Sequence, residues 1–170
     1  MNKLTIVTFI SFLMLGCATD PSSPDHPISQ SEVQAKTYTY TNLDGNKVQL
    51  WKKARNYIAT VYGDSKSVLR VEDEVEGTLI GKGLVRWQMI DSVLSPYCYS
   101  EYDIRFVAKD SRARLQLELL SGAPAVSECT GWVLPSRFGY EQILAKFDII
   151  SQNMESTLKG DGKLEAMTDF

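Results

Sequence analysis

Two neighbouring stretches of the sequence alternate apolar and polar residues, and this period of two limits the fold more than any other feature. Residues 99–108 and 112–120 each place apolar side chains on one face: Tyr102, Ile104, Phe106, Ala113, Leu115, Leu117 and Leu119. Arginines occupy the other face, at Arg105, Arg112 and Arg114. Because successive side chains of a strand point to opposite faces, the pattern predicts a β-hairpin with one face buried and one in water.

Two other stretches repeat apolar residues at helical spacing. One runs over residues 47–62, and the other begins at Pro135-Ser136 and ends at Gly160. The stripes consist of Leu50, Trp51, Ala54, Ile58 and Val61 in the first stretch, and of Ile143, Leu144, Phe147, Ile150, Met154 and Leu158 in the second. Such stripes predict two amphipathic helices.

Three more strands are expected at residues 37–41, 68–72 and 78–90. In the last of these the buried face is ambiguous, and Gly81 and Gly83 are typical of a bulge that changes the facing side midway. The order β-α-β-β-β-β-α predicts an α+β fold, a single antiparallel sheet of about five strands with both helices on one face.

The order of a few residues resembles a known family. Trp51 in the first helix, then Asp73, then Glu-Gly-Thr-Leu-Ile-Gly-Lys-Gly at residues 76–83 are similar to the DUF4468 family of bacterial domains. The resemblance covers residues 37–159 and implies a TBP-like fold. It also implies a position behind a signal or lipoprotein peptide, which is usual in the family, but no established activity.

The N-terminus is typical of an export signal. Lys3 precedes an apolar run at residues 4–15, which as a helix is about 18 Å long and too short to span a membrane. Met14-Leu15-Gly16-Cys17 resembles the bacterial lipobox, which implies that residues 1–16 are removed and Cys17 is acylated. Ala18 after the cysteine resembles the Gram-negative sorting pattern for the outer membrane, which implies a position that faces the periplasm. The alternative is an ordinary secretory peptide with an incidental cysteine.

The rest of the chain divides into three parts. Residues 17–36 are rich in Pro, Ser and Asp and are expected to form a lipidated tether. Residues 37–160 suit one α+β domain, and residues 161–170 are expected to fray. The lipid bilayer, reached through acylated Cys17, is the first expected partner.

The two remaining cysteines, Cys98 and Cys129, are an even number in an oxidising compartment and are expected to form a disulfide. Two buried free thiols or a pair poised for exchange are the alternatives. The chain has no Cys-x-x-Cys spacing, which argues against a redox catalyst.

Several chemistries are improbable on composition. The formal net charge of −3 argues against nucleic-acid binding. The sole histidine, His26, lies in the expected tether, away from any pocket, so a catalytic triad or a histidine metal site is not expected. Gly77, Gly81 and Gly83 do not open a helix and so do not form a phosphate loop. We expect no metal and no cofactor.

Three candidate sites remain, and each has a plainer structural explanation. The carboxylates that cluster near a turn suit a cation site or an acid/base pair, or a solvated turn: Glu72, Asp73, Glu74 and Glu76. The aromatics suit a binding surface, or cross-strand packing: Trp87, Tyr97, Tyr99 and Tyr102. The arginines suit an acidic partner or lipid headgroups, or a solvated sheet face: Arg105, Arg112 and Arg114.

Two hypotheses about function follow. The first is a non-enzymatic envelope lipoprotein that binds a protein, peptide or envelope component through its exposed sheet face. The second is a hydrolase that uses only carboxylates, which needs two acidic side chains about 5 to 10 Å apart in a cleft. A purely structural role at the cell surface is not separable from the first hypothesis by sequence.

Overall fold

The computed structural model of the protein describes residues 22–62 and 68–160. The expected signal peptide, Cys17 and the expected C-terminal tail lie outside these residues. The elements are β1 (Lys36–Thr41), α1 (Lys47–Val61), β2 (Leu69–Asp73), β3 (Thr78–Gln88), β4 (Tyr97–Lys109), β5 (Arg112–Leu119) and α2 (Arg137–Lys159). The strands of this described part form one antiparallel sheet in the order β1-β5-β4-β3-β2. The predicted element order and α+β architecture are confirmed.

The predicted hairpin is β4–β5. Lys109 pairs with Arg112 across a two-residue loop, in which Ser111 has a φ of 60°. All seven side chains that were expected to face inwards are buried. The outward positions are exposed or half-buried, so the wet face of the hairpin is also confirmed.

The two predicted helices begin and end at residues that cap helix termini. At the start of α1, the side chain of Asn46 accepts a hydrogen bond from the backbone N–H of Gln49, and the Gln49 side chain accepts one from Asn46 N–H. The Ser136 hydroxyl accepts from Gly139 N–H at the start of α2, and Gly160 ends α2 with a φ of 88°. These contacts satisfy terminal N–H and C=O groups that a helix leaves free.

The predicted change of face within β3 is wrong. Leu79, Val85 and Trp87 are all buried against the helices, and the β3–β4 register is continuous from Thr78 to Gln88. The irregularity lies instead in β2, between Leu69 and Val71. The glycines of β3 allow neighbouring atoms to lie close to the strand. A Cβ atom at Gly81, for example, would lie 2.5 Å from Val68 O.

Part of the predicted tether belongs to the folded domain. Pro27 bridges to Ser136, and Ile28 N–H donates to Pro135 O at 2.9 Å. Ile28 itself is only 3% exposed. A short 3₁₀ turn at Gln30–Glu32 then leads into β1. One buried isoleucine and the backbone bonds around it are enough to dock a segment that looked unstructured by composition, so the boundary at residue 37 is too late.

A carboxylate strengthens this docked segment. Glu32 accepts a hydrogen bond from Ser29 N–H at 2.9 Å and pairs with Arg137 at 2.7 Å. These contacts, the backbone bond first, lower the pKa of Glu32 to about 2. The ion pair ties the segment to the start of α2.

The expected disulfide joins Cys98 to Cys129, with the two Cα atoms 5.3 Å apart. It anchors the segment between β5 and α2 to the start of β4. Beside it, the Ser127 hydroxyl accepts from the backbone N–H of Tyr99 at 3.1 Å. In residues 22–62 and 68–160, no helix has both the length and the hydropathy of a membrane span.

Candidate functional site

The face of the sheet opposite the helices carries the three arginines that the sequence singled out. The alternation of β4 and β5 places Arg105, Arg112 and Arg114 on this open face, where all three are exposed. The register brings them together, since Val107 pairs with Arg114 and lies two residues from Arg105 on the same face.

A fourth cation joins them. Lys109 is also exposed, and it lies directly opposite Arg112. We call Arg105, Lys109, Arg112 and Arg114 the cationic corner. Side chains directly opposite in an antiparallel pair are about 5 Å apart at Cβ, and like charges there destabilise the sheet. The structure therefore concentrates positive charge at one end of the open face.

The cations of this corner have few acidic neighbours. Arg105 lies 3.7 Å from the carboxylate of Asp103, beyond hydrogen-bond distance. In the described part of the chain, Lys109, Arg112 and Arg114 have no carboxylate within 4.0 Å. Val107, which is 37% exposed, gives the corner an apolar centre. A shallow cavity of about 310 Å³ lies here, lined by Thr39, Val107, Lys109, Arg112, Ala113 and Arg114.

The other half of the open face carries more apolar and aromatic side chains. Lys82 pairs with Glu101 at 3.1 Å, and the guanidinium of Arg86 lies 4.4 Å from the ring centre of Tyr97. Leu84 is 40% exposed between them. This half therefore offers apolar and aromatic surface beside two cations, of which Lys82 is paired with a carboxylate.

The predicted aromatic surface is wrong as a single site. Tyr97 and Tyr99 lie on the open face, whereas Trp87 and Tyr102 are buried under the helices. Odd positions of β4 face outwards and even positions face inwards, so residues this close in sequence separate. Trp87 donates from Nε1 to the Ser100 hydroxyl at 3.0 Å and belongs to the core.

The buried tyrosines form hydrogen bonds between layers. The hydroxyls of Tyr62 and Tyr102 bond to each other, and Tyr40 bonds to the hydroxyl of Ser151 at 2.8 Å. Burial raises the pKa values of Tyr40 and Tyr62 to about 12. Burial also raises the pKa of Tyr102, which lies 4.9 Å from the ring of Phe147. These hydroxyls stay protonated at neutral pH and act as structural bonds.

The carboxylate cluster is distributed among local partners. Glu72 pairs with Arg55, and Glu74 pairs with Lys52 at 3.2 Å. Asp73 accepts from Glu76 N–H at 2.9 Å within the turn. No group of three or more potential metal-ligating side chains occurs in the residues that the structure describes. These carboxylates therefore stabilise the β2–β3 turn and its contact with α1.

His26 does not lie where the sequence suggested. It lines a shallow cavity of about 520 Å³ with Pro27, Ile28 and Trp132, and its backbone O accepts from Arg137 N–H. The expectation that it lies away from any pocket is wrong, because the segment that carries it is docked.

Comparison with known proteins identifies the fold. No protein-family model and no curated protein sequence matches this chain. Among solved structures, a DUF4468 family protein from Bacteroides ovatus aligns with a TM-score of 0.53 and 12% identity, over 79% of this chain and 89% of that one. A TBP-like protein from Parabacteroides distasonis aligns with a TM-score of 0.50 and 11% identity, over 76% of this chain and 98% of that one. The chain has a TBP-like fold. The resemblance expected from Trp51, Asp73 and residues 76–83 is thus confirmed at the level of the fold.

Sequence reasoning missed two members of the site in this TBP-like domain. Lys109 and Val107 continue the outward-facing set of β4, and the period of two that identified Arg105 was sufficient to include them. The outer edge of β3 beyond Gly81 had no signal in the sequence, because its pairing depends on where β2 begins.

Proposed function

We propose that this protein is a non-enzymatic envelope lipoprotein, held at the outer membrane by lipid on Cys17, that binds an acidic partner through the cationic corner. The partner is a protein, a peptide or another component of the envelope. The observation that carries the proposal is the exposed group of Lys109, Arg112 and Arg114 without a carboxylate neighbour in the described residues.

Electrostatics supports an acidic ligand at this place. Lys109 and Arg112 face each other across the hairpin, an arrangement that costs stability until an anion lies between them. Arginine also binds carboxylate or phosphate through two parallel hydrogen bonds. The exposed side chain of Val107 adds an apolar contact at the centre of the corner.

The carboxylate hydrolase has less support. Three glutamates form ion pairs on the surface of the sheet and of α1: Glu72 with Arg55, Glu74 with Lys52, and Glu101 with Lys82. No specific contact favours it, so it stays a prediction from sequence.

The test is charge reversal in the full chain, expressed in its own envelope. We expect Arg105→Glu with Arg114→Glu to lose capture of the partner by at least about tenfold, because a buried or apposed charge pair is worth a few kcal/mol. Partners are cross-linked in the membrane and identified by mass spectrometry. The matched control is Lys52→Glu with Lys159→Glu, which changes the same charge on the helices. Equal capture by both variants would refute the binding proposal.

The anchor is tested on the same preparations. The intact mass should show an acylated chain that begins at Cys17 and sediments with membranes, and Cys17→Ser should lose both properties. A chain that keeps its original N-terminus and carries no acyl mass would refute the anchor alone and leave the binding result to be judged separately.

A further inference from the structure

The outer edge of β3 is only partly covered. β2 is short and pairs with Thr78 to Gly81, whereas β3 continues to Gln88. Within residues 22–62 and 68–160, no strand pairs with residues 82–88 of β3 on the side away from β4. We call this stretch the free edge.

The contacts of Gln142 show which backbone groups point outwards from the free edge. The Gln142 side chain donates from Nε2 to Gln88 O at 3.1 Å and accepts from Gln88 N–H at 3.2 Å. Both backbone groups of Gln88 therefore point away from β4. Because this orientation repeats every second residue in an antiparallel strand, the N–H and C=O groups of Arg86 and Leu84 point outwards too.

These groups lack partners in the described part of the chain. No backbone or side-chain bond there reaches the outward N–H or C=O of Leu84 or Arg86. The side-chain amide of Gln142 bonds to the outward N–H and C=O of Gln88, at the position where strand pairing would otherwise continue. Unpaired strand edges of this kind are templates for the addition of another strand.

The surroundings are apolar and positively charged. A cavity of about 320 Å³ beside the free edge is lined by Val61, Tyr62, Leu84, Tyr97, Gln142 and Lys146, together with Arg86. A second cavity of about 280 Å³ contains Arg70 and the ion pair of Lys82 with Glu101. Among the described residues that line the two cavities, four cations face one carboxylate, Glu101, so the edge suits acidic side chains.

We propose that the free edge of β3 binds an extended, acidic segment of a partner protein as an added strand. The backbone of Leu84 and Arg86 supplies the ladder bonds. Alternate side chains of the segment enter the cavity between α1 and α2 or contact Arg86 and Lys82 on the open face. A second copy of this chain is a poor occupant, because two-fold pairing of two free edges brings Arg70, Lys82, Arg86 and Lys146 of both copies together.

This inference is independent of the cationic corner. That corner lies on β4 and β5, and the free edge lies at the outer side of β3. Arg105→Glu with Arg114→Glu should therefore leave strand addition intact, which keeps the two proposals distinguishable.

The probe is a blocked peptide of about eight residues that alternates Val and Glu, and the matched peptide replaces each Glu with Lys. Amide hydrogen exchange is followed by NMR on the full chain in detergent micelles. With saturating acidic peptide, exchange at the amides of Leu84 and Arg86 should slow by at least about tenfold. The Lys peptide should bind at least about tenfold more weakly.

Two changes test the backbone bonds directly. Arg86→Pro removes an outward N–H that the β3–β4 ladder does not use, and proline is tolerated at such an edge position. Arg86→Pro should lower the affinity for the acidic peptide by about tenfold, whereas Arg86→Lys should leave that affinity unchanged. If Arg86→Pro does not fold, the backbone nitrogens of the peptide are methylated instead. Methylation of the alternate residues whose N–H groups point towards β3 should abolish binding, whereas methylation of the other residues should not.

Three results would overturn the proposal. The first is that neither peptide, or both equally, protects the amides of Leu84 and Arg86. The second is protection without peptide that grows with protein concentration, which would assign the edge to a second copy. The third is full protection of both amides in the dilute, unliganded chain, which would mean that the chain covers its own edge.

Discussion

Gly83 lies where the ring of Tyr102 crosses the inner face of the sheet. A Cβ atom at Gly83 would lie 2.3 Å from Tyr102 Cζ, a separation that no relaxed contact allows. Gly139 of α2 plays the same part beneath Trp87, with a distance of 2.3 Å to Cε3. Both aromatic rings are 1% exposed, so the two glycines make space for the largest side chains of the core.

We expect Gly83→Ala to lower the free energy of unfolding by about 2 kcal/mol, because the added methyl group overpacks a dense core. In a Tyr102→Leu background the cost should fall to below about 1 kcal/mol, since the ring atoms that clash are gone. Denaturant unfolding of the four chains of this double-mutant cycle measures both values. The same cost in both backgrounds would show that Tyr102 is not the neighbour that matters.

β4 depends on more than its strand neighbours. β5 pairs with β4 only as far as Tyr102, so residues 97–101 have β3 on one side and the segment after β5 on the other. The disulfide at Cys98 and the Ser127 hydroxyl hold that segment against the strand. A backbone bond from Leu120 N–H to Glu101 O at 2.9 Å extends the contact by one residue. Beyond it, the start of β4 relies on a covalent link and one side-chain bond where a sheet would use a ladder.

Replacement of both cysteines by alanine, Cys98→Ala with Cys129→Ala, should lower the free energy of unfolding by about 3.5 kcal/mol, because the unfolded chain regains the entropy of a closed loop. Urea unfolding with and without reductant provides the measurement. Reductant should destabilise the parent chain by a similar amount and leave the variant unchanged. If reductant shifts neither chain, the link contributes nothing to stability.

At the scale of the molecule, tyrosine hydroxyls join the sheet to the helices and the helices to each other. Tyr40 bonds from β1 to Ser151 of α2, and Tyr57 of α1 donates to Ile150 O at 3.2 Å. Tyr38 donates to Asp148 at 2.7 Å, and this bond, after the one from Lys36, lowers the pKa of Asp148. Burial raises the pKa of Tyr57 as well, so the network holds only while its hydroxyls keep their protons.

Alkaline pH should unfold the protein through this network. The unfolded chain releases tyrosine protons near the ordinary pKa of 10.0, whereas Tyr40 and Tyr62 in the folded chain hold theirs to about 12. Their contribution is therefore complete below pH 10 and is lost as the pH rises towards 12. Tyr40→Phe with Tyr62→Phe should flatten the fall of the unfolding free energy above pH 10. Circular dichroism and tyrosinate absorbance follow the two events, and an equally steep fall in the variant would contradict the assignment.

Local patterns were enough for the elements of this fold. The alternation around Arg105 and Leu115 identified β4 and β5, and the stripe around Ile150 identified α2, because burial of one face imposes its period on neighbouring residues. The pairing of Cys98 with Cys129 also followed from residue identity. The lipid anchor at Cys17 is a prediction from sequence that lies outside the described residues.

Contacts between distant residues decided the rest. Which face of β3 is buried depends on its pairing with β4, and the docking of Ile28 depends on Pro135 more than a hundred positions away. Lys109 joins Arg112 only through the hairpin register. Among the described residues, the edge at Leu84 and Arg86 is unpaired because β2 begins only at Leu69, opposite Gly81. The repeat with which side chains face one side of a strand or helix is a property of the local backbone. The neighbours that those side chains contact are set by the long-range packing of the chain.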